Sequence, residues 1–254
     1  MSLHVERLGS GAPLLLIHGW GMHGGVWDSV AEELAENFHV HIVDLPGYGF
    51  SIEQEANTLD AMVDELSAAL AEPLAVCGWS LGGQVALRWA AREPEKVQRL
   101  ILVASTPCFT GRADWDYGME AAVLEKFAAE LEQNHAATLR RFIALQLRGS
   151  ENERELLALM RDRLFSRGEP DIDALRSGLE ILRDADLRGE LPDIRQPTLV
   201  IAGERDKLTP PQASHYLAQA MPSARVVEIA GAAHAPFLSH HDLFVEQIKR
   251  FMHE

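Results

Sequence analysis

The sequence predicts an α/β fold: a doubly wound, mostly parallel sheet with a helical cap inserted in the middle of the chain. Three observations predict it. Short apolar runs alternate with amphipathic stretches toward both ends of the chain. Several runs are apolar without a break, as in Leu14-Leu15-Leu16-Ile17 and Leu199-Val200-Ile201-Ala202, which suits strands covered on both faces. Between residues 107 and 190 the strand-like runs stop and only helical patterns remain.

Taken in order, strands are expected at 3–8, 13–18, 40–44, 74–79, 99–104, 198–202 and 225–229. Helices are expected at 27–37, 59–71, 81–92, 211–220 and 241–252. Inside the insertion the periodicity predicts helices over 117–133, 136–148, 151–167 and 172–185. Ser150-Glu151-Asn152-Glu153 matches the capping box S-x-x-E and marks a helix start, with Gly149 ending the helix before it. The expected division is a core of 1–106 and 191–254 around a helical cap, 107–190, inserted after the fifth or sixth strand.

Composition narrows the function. The chain has 254 residues, 47% hydrophobic and 24% charged, enough to bury a large core without cross-links. Lys and Arg number 23 against 38 Asp and Glu, and a net charge of -15 disfavours nucleic acid and anionic lipid as partners. No stretch approaches the roughly 18 apolar residues of a membrane span. The opening Met1-Ser2-Leu3-His4-Val5-Glu6 lacks the basic and apolar regions of a secretory signal, so a cytoplasmic location is expected. Cys77 and Cys108 make neither a disulfide framework nor a zinc spacing. No metal or cofactor is expected.

The chemistry centres on Gly78-Trp79-Ser80-Leu81-Gly82-Gly83, a G-x-S-x-G motif between an apolar run and a helical stretch. That context lifts Ser80 above a sheet at a helix N-terminus, where free N–H groups favour developing negative charge. A serine hydroxyl needs a base. Among 11 histidines, His234 stands out, in the small-residue loop Gly231-Ala232-Ala233-His234-Ala235-Pro236-Phe237 after the last strand. His18 is the next candidate, but its Gly-rich loop suggests a structural task. An acid must orient the base. Asp206 stands just past the strand 198–202, and the order Ser80, Asp206, His234 suits a nucleophile, acid and base. Glu204 and Asp44 are its rivals. Two N–H donors are needed for the oxyanion, and Leu81 and Trp20, in His18-Gly19-Trp20-Gly21, are the candidates.

These motifs together, with Asp44-Leu45-Pro46-Gly47-Tyr48-Gly49 and Gly203-Glu204-Arg205-Asp206, resemble the α/β-hydrolase superfamily over nearly the whole chain. Within it, Ala104-Ser105-Thr106-Pro107-Cys108-Phe109 and Arg141-Phe142-Ile143-Ala144-Leu145-Gln146 are similar to the carboxylesterase family of biotin synthesis. Members hydrolyse the methyl ester of pimeloyl-acyl-carrier protein and release methanol. The resemblance implies that Trp20, Ser80, Leu81, Phe142, Ile143, Ala144, Leu145, Gln146 and His234 contact the acyl ester. It implies a carrier-protein partner docked by cap arginines, carried here to Arg141, Arg154 and Arg161. Residues 137–168 hold seven arginines against four carboxylates within an acidic chain, an independent sign of an anionic partner. Arg141/Arg148 and Arg154/Arg161 are each seven apart, which places each pair on one helix face. The chain departs from the family at Ala137 and Ala158, where further arginines are expected. The alternatives are another reaction on the same triad, such as a broad short-chain esterase, lactonase or carbon–carbon bond hydrolase, and a non-catalytic ligand receptor.

Overall fold

The computed structural model describes residues 3–53 and 55–254, so Met1 and Ser2 of the opening segment lie outside the described residues. The chain runs β1 (Val5–Leu8), β2 (Ala12–Ile17), α1 (Asp28–Leu34), β3 (Phe38–Val43), α2 (Leu59–Ala69), β4 (Leu74–Trp79), α3 (Leu81–Arg92) and β5 (Val97–Val103). Four helices follow: α4 (Ala121–Gln133), α5 (His135–Leu147), α6 (Glu153–Leu164) and α7 (Ile172–Asp184). Then come β6 (Thr198–Gly203), α8 (Pro211–Ala220), β7 (Ala224–Ile229), α9 (Pro236–Ser239) and α10 (His241–Met252).

The strands form one seven-stranded sheet in the order β1-β3-β2-β4-β5-β6-β7. β1 pairs antiparallel with β3, and every other pairing is parallel. The unbroken apolar runs explain the centre: β4 and β6 are buried along their whole length, because helices cover both faces of a parallel sheet. β7, at the edge, is half-buried over most of its length. The helical segment enters after β5, the earlier of the two positions expected. Among the described residues no helix is long and apolar enough to cross a membrane.

The capping box at Ser150 does not form. Helix α6 starts at Glu153, and its N-cap is Asn152 in a left-handed conformation, φ 60°. Glu153 accepts instead from the Gly149 N–H at 2.8 Å. The left-handed turns at Gly149 and Asn152 carry Ser150 beneath the helix start, where its buried hydroxyl has no partner among the described residues. The Glu151 N–H points to the Gly231 carbonyl, 3.4 Å away. That interval therefore serves contact with the loop after β7 rather than helix initiation.

Candidate functional site

The strand order locates the site. From β2 the chain steps out to β3 and then returns across β2 to β4. A crevice opens at such a reversal, beyond the carboxyl ends of the strands. Ile17 pairs with Gly78, so the segments that follow, His18–Gly19–Trp20 and Trp79–Ser80–Leu81, leave the sheet side by side.

Ser80 caps α3 with φ 55° and ψ −117°, a conformation that costs about 1–3 kcal/mol for a non-glycine residue. The surroundings enforce it. The Ser80 N–H donates to the Val103 carbonyl at 3.0 Å, and the buried Ser105 hydroxyl donates to the Ser80 carbonyl at 2.9 Å. The turn also demands glycine by close approach. A Cβ on Gly78 would stand 2.2 Å from the Gly82 oxygen, and one on Gly82 would stand 2.6 Å from the His18 and Ile17 oxygens.

Asp206 lies in the turn after β6, and His234 in the loop after β7; both are buried. The His234 Nδ1 is 2.7 Å from Asp206 Oδ2. The same carboxylate accepts the N–H groups of Leu208 and Thr209 at 2.8 and 3.1 Å and the Thr209 hydroxyl at 2.7 Å. A carboxylate gripped this way accepts the Nδ1 proton of neutral His234 and leaves Nε2 as the basic nitrogen. That Nε2 is buried and has no partner among the described residues. Trp79 ties the base to the nucleophile's strand, since its indole N–H donates to the His234 carbonyl at 2.8 Å. The His234 N–H donates to the Gln146 carbonyl at 3.1 Å, which joins the base loop to α5.

On the opposite side, a Cβ on Gly19 would lie 3.2 Å from Ser80 Cβ, so the backbone of this loop abuts the serine. The backbone N–H groups of Trp20 and Leu81 meet no protein acceptor among the described residues. Two unengaged donors beside a strained serine can hold an oxyanion. The Trp20 ring is buried, donates to the Leu175 carbonyl at 2.9 Å and meets Phe142 edge-on at 5.0 Å.

The rival residues are engaged elsewhere. Glu204 accepts the Gly231 N–H at 2.8 Å. Asp44 is fully buried and accepts from Gly24 and Phe50 at 2.6 and 2.9 Å. Burial works to raise its carboxyl, but His18, those two N–H groups and the Arg167 guanidinium hold it below the usual carboxylate range. Burial lowers His18 from its ordinary 6.5 to about 4.

Of the run on α5, Phe142, Ile143 and Gln146 are buried, whereas Ala144 is half-buried and Leu145 is 40% exposed. A helix turning 100° per residue cannot aim five successive side chains at one point. Arg154 and Arg161 are exposed on α6 with no carboxylate partner among the described residues. Arg141 is exposed but paired with Glu130 and lies over the Phe127 ring at 5.6 Å. Arg148 does not share its helix face, because it is the C-cap of α5, with ψ 119°. Arg163 and Arg167 turn inward. Arg163 donates to the Gly25 and Val26 carbonyls at 3.0 and 3.1 Å, and Arg167 reaches Asp44 and Glu6 at 3.2 and 2.7 Å. The sequence patterning therefore counts two half-buried anchors as part of a charged surface.

The sequence patterning assigns no role to Thr209, nor to Trp79 and Ser105 inside their motifs, although each touches a member of the site. Thr209 alone carries a local signal, an Asp-x-x-Thr turn in which the carboxylate caps the hydroxyl three residues on.

The buried neutral histidines predict acid sensitivity. The unfolded chain protonates His18 near pH 6.5, whereas the folded chain does so only near 4. Stability from the neutral ring is complete above that window and is lost as pH falls through it. His41, lowered to about 4 by burial and by His39, acts in the same direction. Asp44, whose carboxyl is lowered, adds a further loss in more acid solution. Urea unfolding at pH 7 and pH 4.5 should show a loss of about 2–3 kcal/mol from His18 alone. An unchanged midpoint would contradict the neutral, buried ring.

Comparison with known proteins places these features in context. The alpha/beta hydrolase fold family matches residues 12–241. A protein of Nitrosomonas europaea named pimeloyl-[acyl-carrier protein] methyl ester esterase is 47% identical over 96% of this chain and 97% of its own. One of the same name from Nitrosospira multiformis is 41% identical over 99% of this chain and 98% of its own. Among solved structures, an esterase from Exiguobacterium antarcticum superposes with a TM-score of 0.89 at 23% identity, over 99% of this chain and 96% of that one, a likeness of fold.

Proposed function

The chain belongs to the alpha/beta hydrolase fold family, and we propose that it is a serine carboxylesterase acting on the methyl ester of pimeloyl-[acyl-carrier protein]. The observation that carries the substrate is the shared name of full-length relatives at 41–47% identity. The Asp206–His234 pair, joined through Trp79 to the strand that carries the strained Ser80, supports the chemistry.

In this reading His234, oriented by Asp206, takes the Ser80 proton as the hydroxyl attacks the ester carbonyl. The Trp20 and Leu81 N–H groups hold the tetrahedral oxyanion. Collapse expels methoxide, which leaves as methanol with the proton from His234. Water, deprotonated by the same nitrogen, attacks the acyl-enzyme; pimeloyl-[acyl-carrier protein] departs with its terminal carboxylate freed, and Ser80 regains its proton from His234. Residues 107–190 act as a cap over this site, and Phe142, Ile143 and Gln146 line its acyl side. Arg154 and Arg161 offer the acidic carrier protein two exposed guanidinium groups, with Arg141 available only by exchange of its Glu130 partner. The reading includes the cytoplasmic location expected from the sequence and needs no metal or cofactor.

The test is hydrolysis of the carrier-bound methyl ester, followed by methanol release, beside the same ester without its carrier. The wild type should prefer the carrier-bound form. Arg154→Glu with Arg161→Glu should raise KM for it roughly tenfold more than for the unloaded ester. An equal effect on both esters would remove the docking assignment. Failure to cleave the carrier-bound ester, with simple esters still hydrolysed, would remove the substrate assignment.

A further inference from the structure

We propose that His18, and through Asp44 the cap residue Arg167, are positioning residues that aim the oxyanion donor at Trp20. The inference rests on the esterase reading, since it gives a task to residues that touch no substrate.

A peptide unit is planar and trans, so the Gly19 carbonyl and the Trp20 N–H point in opposite directions within one plane. Whatever grips the Gly19 oxygen sets the direction of the Trp20 N–H. His18 Nδ1 lies 2.8 Å from that oxygen, closer than its other donor, the Met22 N–H at 3.3 Å. Its Nε2 faces the Leu45 N–H at 2.9 Å. A backbone N–H only donates and a carbonyl only accepts, so Nε2 is the acceptor and Nδ1 carries the proton. The two partners thus fix both the tautomer and the ring orientation. The ring is fully buried and meets Tyr48 edge-on at 5.3 Å, so it has no room to turn away. A hydrogen bond to the Gly19 oxygen also polarises the peptide and strengthens its N–H as a donor.

Leu45 must itself be held still for Nε2 to keep its partner. Asp44, its neighbour, supplies the anchor. Its two oxygens accept from Gly24 and Phe50, and Arg167 Nη1 lies 3.2 Å from both. Arg167 stands in the turn between α6 and α7, and its other amino group reaches Glu6 at 2.7 Å. The same loop after β2 is gripped further along, where Arg163 donates to the Gly25 and Val26 carbonyls. The cap is thus fastened to the segment that carries the oxyanion donor, and its Arg167 contributes to chemistry as well as to enclosure.

The experiment uses the full chain with p-nitrophenyl acetate, a short ester that asks little of the acyl pocket. A trifluoromethyl ketone, which forms a tetrahedral oxyanion adduct with an active serine, reports on the donor directly. His18→Gln keeps an acceptor near the Nε2 position and loses the donor to Gly19; His18→Asn keeps a donor near Nδ1. His18→Gln should lower kcat about 100-fold, hold KM within about twofold and weaken the ketone by a similar factor. His18→Asn should recover at least about tenfold of that loss. Arg167→Gln should show the same pattern at about tenfold. A folded His18→Gln enzyme with wild-type kcat would overturn the proposal. So would equal losses in the Gln and Asn variants, or a loss confined to KM with ketone binding intact. If His18→Gln does not fold, Arg167→Gln and His18→Asn decide on the same readouts. A wild-type protein that cleaves no ester and forms no ketone adduct would instead remove the esterase reading itself.

Discussion

Ser80→Ala should lower kcat for ester hydrolysis by about 10⁵- to 10⁶-fold, the scale on which loss of a serine nucleophile acts. No other hydroxyl can replace it at the elbow. The Ser105 hydroxyl is committed to the Ser80 carbonyl at 2.9 Å, and the Thr209 hydroxyl to Asp206 at 2.7 Å. Alanine meets the same backbone strain at φ 55° as serine does, so stability should stay within about 1 kcal/mol. Steady-state kinetics beside thermal unfolding separates the two effects. Turnover above about one thousandth of the wild type, in protein free of wild-type contamination, would mean that Ser80 is not the nucleophile.

Asp206→Asn should lower kcat by about 10⁴-fold with little effect on KM, as substitution of the acid does in unrelated serine hydrolases. The carboxylate accepts four hydrogen bonds, two from backbone N–H groups, one from the Thr209 hydroxyl and one from His234. Asparagine has one acceptor oxygen, and the Leu208 and Thr209 N–H groups claim it. Its amide NH₂ then faces His234 Nδ1, which must accept rather than donate. The ring proton moves to Nε2, and the base arrives already protonated at the atom that should take the Ser80 proton. Labelling of Ser80 by a fluorophosphonate should slow in parallel. A loss below about tenfold would shift the acid's task to Glu204, and Glu204→Gln would then carry the large effect.

The strands and the serine elbow are legible because their causes are local. An unbroken apolar run needs cover on both faces whatever its neighbours, and Gly78 and Gly82 are dictated by a turn too tight for a Cβ. The positions of Asp206 and His234 follow from strand ends alone, since sites gather there in such sheets. What stays hidden in the sequence depends on partners far along the chain. Arg167 looks like one more surface cation until Asp44, 123 residues away, is seen to bury against it. Trp79 holds the base's loop by a bond to a residue 155 positions along the chain, which no short motif encodes. Ser150 matches a capping box, yet nearby left-handed turns at Gly149 and Asn152 redirect the chain before the box can close. On α5, by contrast, the i, i+3, i+4, i+7 spacing of Leu139, Phe142, Ile143 and Gln146 marks one helix face in the sequence, and these four are buried while Leu145 faces out.

The reversal between β2 and β4 also governs when activity can appear during folding. The oxyanion loop, the elbow, the acid and the base follow four different strands, β2, β4, β6 and β7, spread from Ala12 to Ile229. High contact order of this kind makes parallel pairing slow relative to local helix formation. Refolding from denaturant should therefore regain helical circular dichroism before it regains ester hydrolysis. A nascent chain whose β7 and following loop have not emerged has no base, so ester hydrolysis waits for that strand. Catalysis is for this protein a late and stringent reporter of complete sheet assembly.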